Sequence, residues 1–415
     1  MLRGLPVLAF LVPLCAQSLP PVVFVHGNGD DSSKWIPTIW LFESNGYPRH
    51  LLRAVRFTDP VARRIDSRPE PFRSSTVDQA SELAAFVVRT LLETRAPKVA
   101  LVGSSRGGLV IRNYLKNAGG AAVSSHAILC GAPNHGAFRL EESFDSEFNA
   151  NGAFLRQLNG GAEVVPGVRF LTLRSDRLDR YAQQDVGYDS PALDGAENLV
   201  LPGLDHREVA FHPSAFAAMF RFLLGRDPER LQVEPETRPV FSGVVTGYAN
   251  GAPTNRPLGG VRLRIFAVDP ATGERSGPPL LDHTTDSSGQ WGPWAASPDL
   301  SYEFALEKDG RRVSYFLSGL LRSSSLLNFR FVPAPSGQPR QLIVRRPRGY
   351  FSRGRDPLMV NGQPVDDLPE GVPSRDTVTL TLDHGPARIT FRNETVVARP
   401  SRAPDETHFV ELFWD

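Results

Sequence analysis

Cysteine is nearly absent: the 415 residues contain two, Cys15 and Cys130. That excludes a disulfide-built scaffold and any zinc or iron–sulfur centre held by cysteines. Lysine is almost as scarce. There are four (Lys34, Lys98, Lys116 and Lys308), so arginine carries nearly all the positive charge. Charge of one sign is missing too, since 46 Lys+Arg against 45 Asp+Glu leave a net +1. Nucleic-acid binding, which rests on a basic face, therefore has no electrostatic support. No apolar run reaches the roughly 20 residues that a membrane-spanning helix needs. What is present is a 41% hydrophobic content, enough for packed cores and too much for a largely disordered chain.

Residues 1–16 have the layout of an export signal: Met1-Leu2-Arg3, an apolar stretch from Leu5 to Leu14, then the small-residue end Cys15-Ala16. A first buried strand or a lipid anchor at Cys15 are the rival readings, and Val12-Pro13-Leu14 weakens the second. From residue 17 to 226, β-branched runs alternate with helical spacing. The strands expected are Val22–Val25, Ala54–Phe57, Lys98–Val102, Ala127–Cys130, Val168–Leu173 and Asn198–Leu201. Ser75 to Asp78 reads as a helix cap, Leu109 to Leu115 as a second helix, and Pro213 to Leu224 as the last. Such alternation predicts an α/β domain on a mostly parallel sheet flanked by helices. Residues 227–239, with Pro228, Pro235 and Pro239 among charges, read as a linker. Beyond them only short strand-like runs and turn signals recur. An all-β region follows, a sandwich over 240–332 with 333–415 as a second module or an extension of the first.

The segment with the clearest chemistry is Val99 to Gly108, a buried strand followed by Gly103-Ser104-Ser105-Arg106-Gly107 and a helix. In a nucleophile elbow the sharp strand-to-helix turn lifts the Ser105 hydroxyl above the sheet, and side chains at Gly103 or Gly107 would collide across it. The helix start aims the Arg106 N–H at a developing oxyanion. The loop Phe24-Val25-His26-Gly27-Asn28-Gly29 offers the Asn28 N–H as the second donor. His26 reads as a hydrogen-bonder of that loop rather than a base.

At these motifs, and at Cys130-Gly131-Ala132-Pro133-Asn134-His135-Gly136, residues 20–226 resemble secreted bacterial lipases and esterases of the α/β-hydrolase superfamily. The resemblance implies a Ser–acid–His order along the chain. His206, after the last expected strand and before the last helix, is then the base, with His212 a cap or core contact. The acid is Asp179 or Asp176, and spacing past the preceding strand favours Asp179. Asp205 is expected at the surface, pointing away from His206, and His135 as a loop-orienting residue. The stretch Gly136 to Pro166 is the one candidate lid, and Trp35, Ile36, Ile39, Trp40 and Phe42 form either an apolar wall or a buried helix face. Val240 to Leu306 resembles a transthyretin-type sandwich. The basic stretch Arg340, Arg345, Arg346, Arg348, Arg353 and Arg355 reads as a solvated strand face.

The function expected is that of an exported carboxylic ester hydrolase working on an ester or lipid, with no cofactor and no metal. An extracellular polyester depolymerase is the alternative, and a noncatalytic binding protein on a hydrolase fold the third reading.

Overall fold

The computed structural model describes residues 19–332, 339–383 and 385–413. The expected export signal lies outside them. Six strands form one sheet: β1 (Val22–Val25), β2 (Leu52–Ala54), β3 (Val99–Ser104), β4 (Ser124–Cys130), β5 (Arg169–Arg174) and β6 (Glu197–Val200). Their spatial order is β2-β1-β3-β4-β5-β6 and every pairing is parallel. β1 and β3 are wholly buried, as their unbroken Val/Leu/Phe/Ala character requires when helices cover both faces. The helices are α1 (Ile36–Ser44), α2 (Thr76–Thr94), α3 (Arg106–Asn117), α4 (Ala153–Leu158), α5 (Glu208–Phe211) and α6 (Pro213–Leu224). A capping box between Ser75 and Asp78 starts α2. Pro213 starts α6, and Gly225 ends it in the left-handed conformation (φ 69°).

The second strand lies earlier than its apolar run suggested. Leu52–Ala54 pair with β1, whereas Val55 and Phe57 are buried after the chain has left the sheet. Hydrophobicity there reports burial and not extension.

The C-terminal region is built on a seven-stranded sheet whose spatial order is Arg275–Thr284, Arg262–Val268, Tyr302–Lys308, Arg311–Leu317, Glu406–Glu411, Gln341–Arg345 and Thr377–Thr381. The strand Glu406–Glu411 runs parallel to both of its neighbours, so strands from either side of residue 333 share one sheet. Period-2 alternation sends Tyr315 and Phe409 to one core, with Phe241 and Trp291, and Phe316 and Val410 to the opposite one, with Ile389 and Val396. A small sheet packs on each face. The edge strand Arg275–Thr284 gave little sequence signal: its residues are mostly exposed and Pro278-Pro279 interrupt it, which an edge with a register shift tolerates.

α1 joins the two regions. Trp35, Ile39 and Phe42 pack on the parallel sheet, while Ile36 and Trp40 enter the C-terminal core beside Phe241 and Phe413. A helix apolar all round is the expected result of burial on both sides. Truncating a buried Trp such as Trp40 costs about 3–5 kcal/mol in comparable cores. These residues are therefore a buried helix and the Trp35 turn that leads into it, and none of them lines the pocket at Ser105.

Candidate active site

β3 ends at Ser104, α3 begins at Arg106, and Ser105 takes the turn between them with φ 53° and ψ −123°. That backbone is strained for any residue with a side chain, at a cost of about 1–3 kcal/mol. It is held by Ser105 N–H donating to the Cys130 carbonyl (2.8 Å) and Gly108 N–H donating to the Ser105 carbonyl (2.9 Å). The flanking glycines have no room for more. A Cβ on Gly107 would stand 2.5 Å from the Val25 oxygen, and one on Gly103 would stand 2.8 Å from the Gly107 carbonyl.

The Ser105 hydroxyl lies 3.0 Å from His206 Nε2, and His206 Nδ1 lies 2.9 Å from Asp179 Oδ2. His206 and Asp179 are both buried. The three groups form one hydrogen-bonded line in which the imidazole can take the hydroxyl proton while the carboxylate fixes its tautomer. Asp179 also accepts from Tyr181 N–H (2.8 Å), and the Tyr181 ring meets His206 edge-on at 4.6 Å. Asp176 is elsewhere. It accepts from the N–H groups of Arg177 (2.6 Å) and Gly203 (3.2 Å), tying two loops together. Burial works upward on its carboxyl, but these donors outweigh it and hold it below the usual range.

Asn28 faces Ser105 across a cavity of about 220 Å3. Its side chain is turned away, accepting from Ala62 N–H (2.7 Å). The Arg106 N–H is among the donors a helix leaves unpaired at its start. The Arg106 side chain has a role that the sequence did not suggest. Fully buried, it ion-pairs Glu147 and donates to Ser74 Oγ (3.0 Å) and to the Ser74 carbonyl (2.8 Å). Burial raises the Glu147 carboxyl against the pull of Arg106. The pair fastens the Gly136–Pro166 stretch to the elbow. From that stretch Phe138 and Phe148 reach the cavity, Leu155 and Leu158 pack on Leu109 of α3, and Phe144 is exposed. His26 is buried, bonded to the Gly27 carbonyl and to Phe57 N–H, and burial pushes its basicity down. His135 bonds Glu163 (2.6 Å) and the Ser190 carbonyl (3.1 Å), outside the Ser105 line. His212 caps α6 by accepting from Ser214 N–H.

Two readings of the sequence are corrected by the C-terminal region. Asp205 is not a surface residue. It is fully buried and accepts from Tyr350 N–H (2.7 Å), Arg346 Nη1 (3.3 Å) and Arg355 Nη2 (3.2 Å). Burial, with Glu208 beside it, pushes its carboxyl up to about 6. Nor is the arginine stretch a solvated face, because Arg346 and Arg348 are buried. Glu208 takes Arg346, Arg355 and Arg392 together, and their three guanidiniums hold its carboxyl down against burial. The loop carrying His206 is thus clamped from residues more than a hundred positions away. Tyr350 itself lines the cavity at Ser105. Among the described residues no three His, Cys, Asp or Glu side chains are grouped to hold a metal. No helix there is long and apolar enough to cross a membrane.

A parallel sheet with helices on both faces and a strained serine between the third strand and its helix defines an α/β-hydrolase. Residues 19–135 match the class 2 lipase family and residues 242–333 match the lipase C-terminal domain. The chain carries these two lipase segments on an α/β-hydrolase fold with a C-terminal β region, and is by class an ester hydrolase. Among solved structures it is similar to lipase B of Aspergillus fumigatus, at 16% identity and TM-score 0.40, covering 52% of this chain and 55% of that one. It is also similar to the Bacillus licheniformis lipase BlEst2. The mature form matches at 18% identity and TM-score 0.39, over 50% of this chain and 93% of that one. The propeptide form matches at 16% identity and TM-score 0.40, over 92% of each chain.

Proposed function

We propose that the protein is an exported serine ester hydrolase, a lipase or esterase, in which Ser105 is the nucleophile, His206 the base and Asp179 the orienting acid. The observation that carries this reading is the unbroken line of hydrogen bonds from Asp179 through His206 to Ser105, ending at a cavity with an apolar wall. Ser105 Oγ attacks the ester carbonyl as His206 Nε2 accepts its proton. The Asn28 and Arg106 amides stabilise the tetrahedral oxyanion. Collapse breaks the ester C–O bond, and His206 returns the proton to the departing alcohol. Water, deprotonated by His206, then hydrolyses the acyl-enzyme to free acid and serine. Phe138 and Phe148 give the acyl chain an apolar surface. Export rests on the layout of residues 1–16.

The test is hydrolysis of p-nitrophenyl esters of increasing acyl length by the wild type and by Ser105→Ala. Turnover by the wild type alone supports the reading, and the optimum length separates an esterase from a lipase or depolymerase. No turnover of any ester overturns it in favour of a binding protein.

A further inference from the structure

The cavity at Ser105 has a neighbour of opposite character. Asn28, Asp30 and Arg207 line the first cavity and also line a second, of about 250 Å3. One wall of the second is the loop after β1, and the other is the C-terminal region. Neither space alone reaches the roughly 300 Å3 at which small-ligand sites begin, and the two together do. The first has Ala137, Phe138 and Phe148 in its lining. The second has Asp30, Asp31, Asp376 and Glu411 facing Lys34, Arg207, Arg330 and Arg345.

The balance of four acidic and four basic side chains gives no net field to select an ion. It gives instead a dense set of acceptors beside a dense set of donors. Some are already engaged: Lys34 pairs with Asp30 at 3.0 Å, and Arg207 pairs with Asp376 at 2.7 Å. Others are open. Among the described residues the Arg345 guanidinium, the Glu411 carboxylate and the Tyr248 hydroxyl make no hydrogen bond or ion pair, and Arg345 rests over the Phe409 ring at 4.8 Å. An apolar group placed there would strip water from charges and return nothing. A hydroxyl both donates and accepts, so an array of hydroxyls answers both signs at once.

We propose that the second cavity seats the alcohol half of the ester, and that this alcohol is polyhydroxylated, a sugar or polyol carrying one acyl chain. The proposal rests on the assignment of Ser105 as nucleophile. The scissile carbonyl sits at the boundary marked by Asn28, the acyl chain runs against Phe138 and Phe148, and the hydroxyls meet Arg345, Glu411 and Tyr248. The C-terminal region then selects the leaving group.

The test compares 6-O-octanoylglucose with ethyl octanoate, which share an acyl chain. The wild type should favour the sugar ester in kcat/KM by at least about tenfold, the worth of a single hydrogen bond to a charged group. Arg345→Met and Glu411→Gln should each narrow that ratio, and sorbitol should inhibit ethyl octanoate hydrolysis competitively in the wild type. Equal rates for the two esters, with no inhibition by sorbitol, overturn the inference and leave the serine hydrolase reading standing. Failure to cleave either ester overturns both. If a variant does not fold, the wild-type ratio and the sorbitol inhibition decide.

Discussion

Arg346, on the C-terminal β region, ion-pairs Glu208, two residues beyond His206, and neither side chain reaches solvent. Arg355 and Arg392 converge on the same carboxylate, and Asp205 on the other side of His206 is held by Arg346, Arg355 and the Tyr350 N–H. Removing one partner of a buried pair leaves charge without compensation, at a cost of about 3–5 kcal/mol. Arg346→Ala should therefore lower the free energy of unfolding in urea by that order, and it should depress kcat by loosening the His206 loop. Unchanged stability would mean that the C-terminal region merely rests on the hydrolase domain.

The acid can be assigned by two substitutions. Asp179→Asn should cost about 10^4-fold in kcat, the usual effect of leaving the imidazole in the wrong tautomer. Asp176→Asn should retain most of the activity, because its carboxylate bonds two backbone N–H groups and the Ser175 hydroxyl, all outside the line from Asp179 to Ser105. Steady-state rates on one activated ester decide it, and the opposite pattern would move the acid to Asp176.

Acid sensitivity has one traceable source in His126. Burial, with the Arg169 charge nearby, holds its imidazole down at about 4 from 6.5. The unfolded chain thus binds a proton that the folded one refuses between those values. Stability from the neutral ring is complete above pH 6.5 and is lost as pH falls through 4. His26 is lowered in the same direction and adds to the loss. Melting temperature against pH should fall less steeply from 6.5 to 4 in His126→Gln than in the wild type. Parallel curves would contradict this.

How much of the site could be read from the sequence follows from where its parts come from. Ser105, Gly103 and Gly107 are legible because the elbow is local: one short segment contains the strand, the turn and the helix start. His206 and Asp179 needed the order of the fold as well. Tyr350, Arg346 and Arg355 carry no motif, and they meet the site only because the strand Glu406–Glu411 locks the chain's last strands into the same sheet as Arg311–Leu317. The arginine stretch was the available signal. It suggests a surface because arginines are rarely fully buried unless paired, and the carboxylates that pair these lie at Asp205 and Glu208. Likewise α1, apolar on every side, announced a covering layer without saying which part of the chain supplies it.

If Ser105 is the nucleophile, it carries the acyl group during turnover. A fluorophosphonate stops serine hydrolases at the phosphonylated nucleophile, and peptide mass spectrometry of the labelled protein finds the site of attachment. One adduct per chain is expected, on the peptide containing Ser105, absent from Ser105→Ala, with ester turnover lost in proportion to labelling. An adduct on another residue, or undiminished turnover in Ser105→Ala, would contradict it.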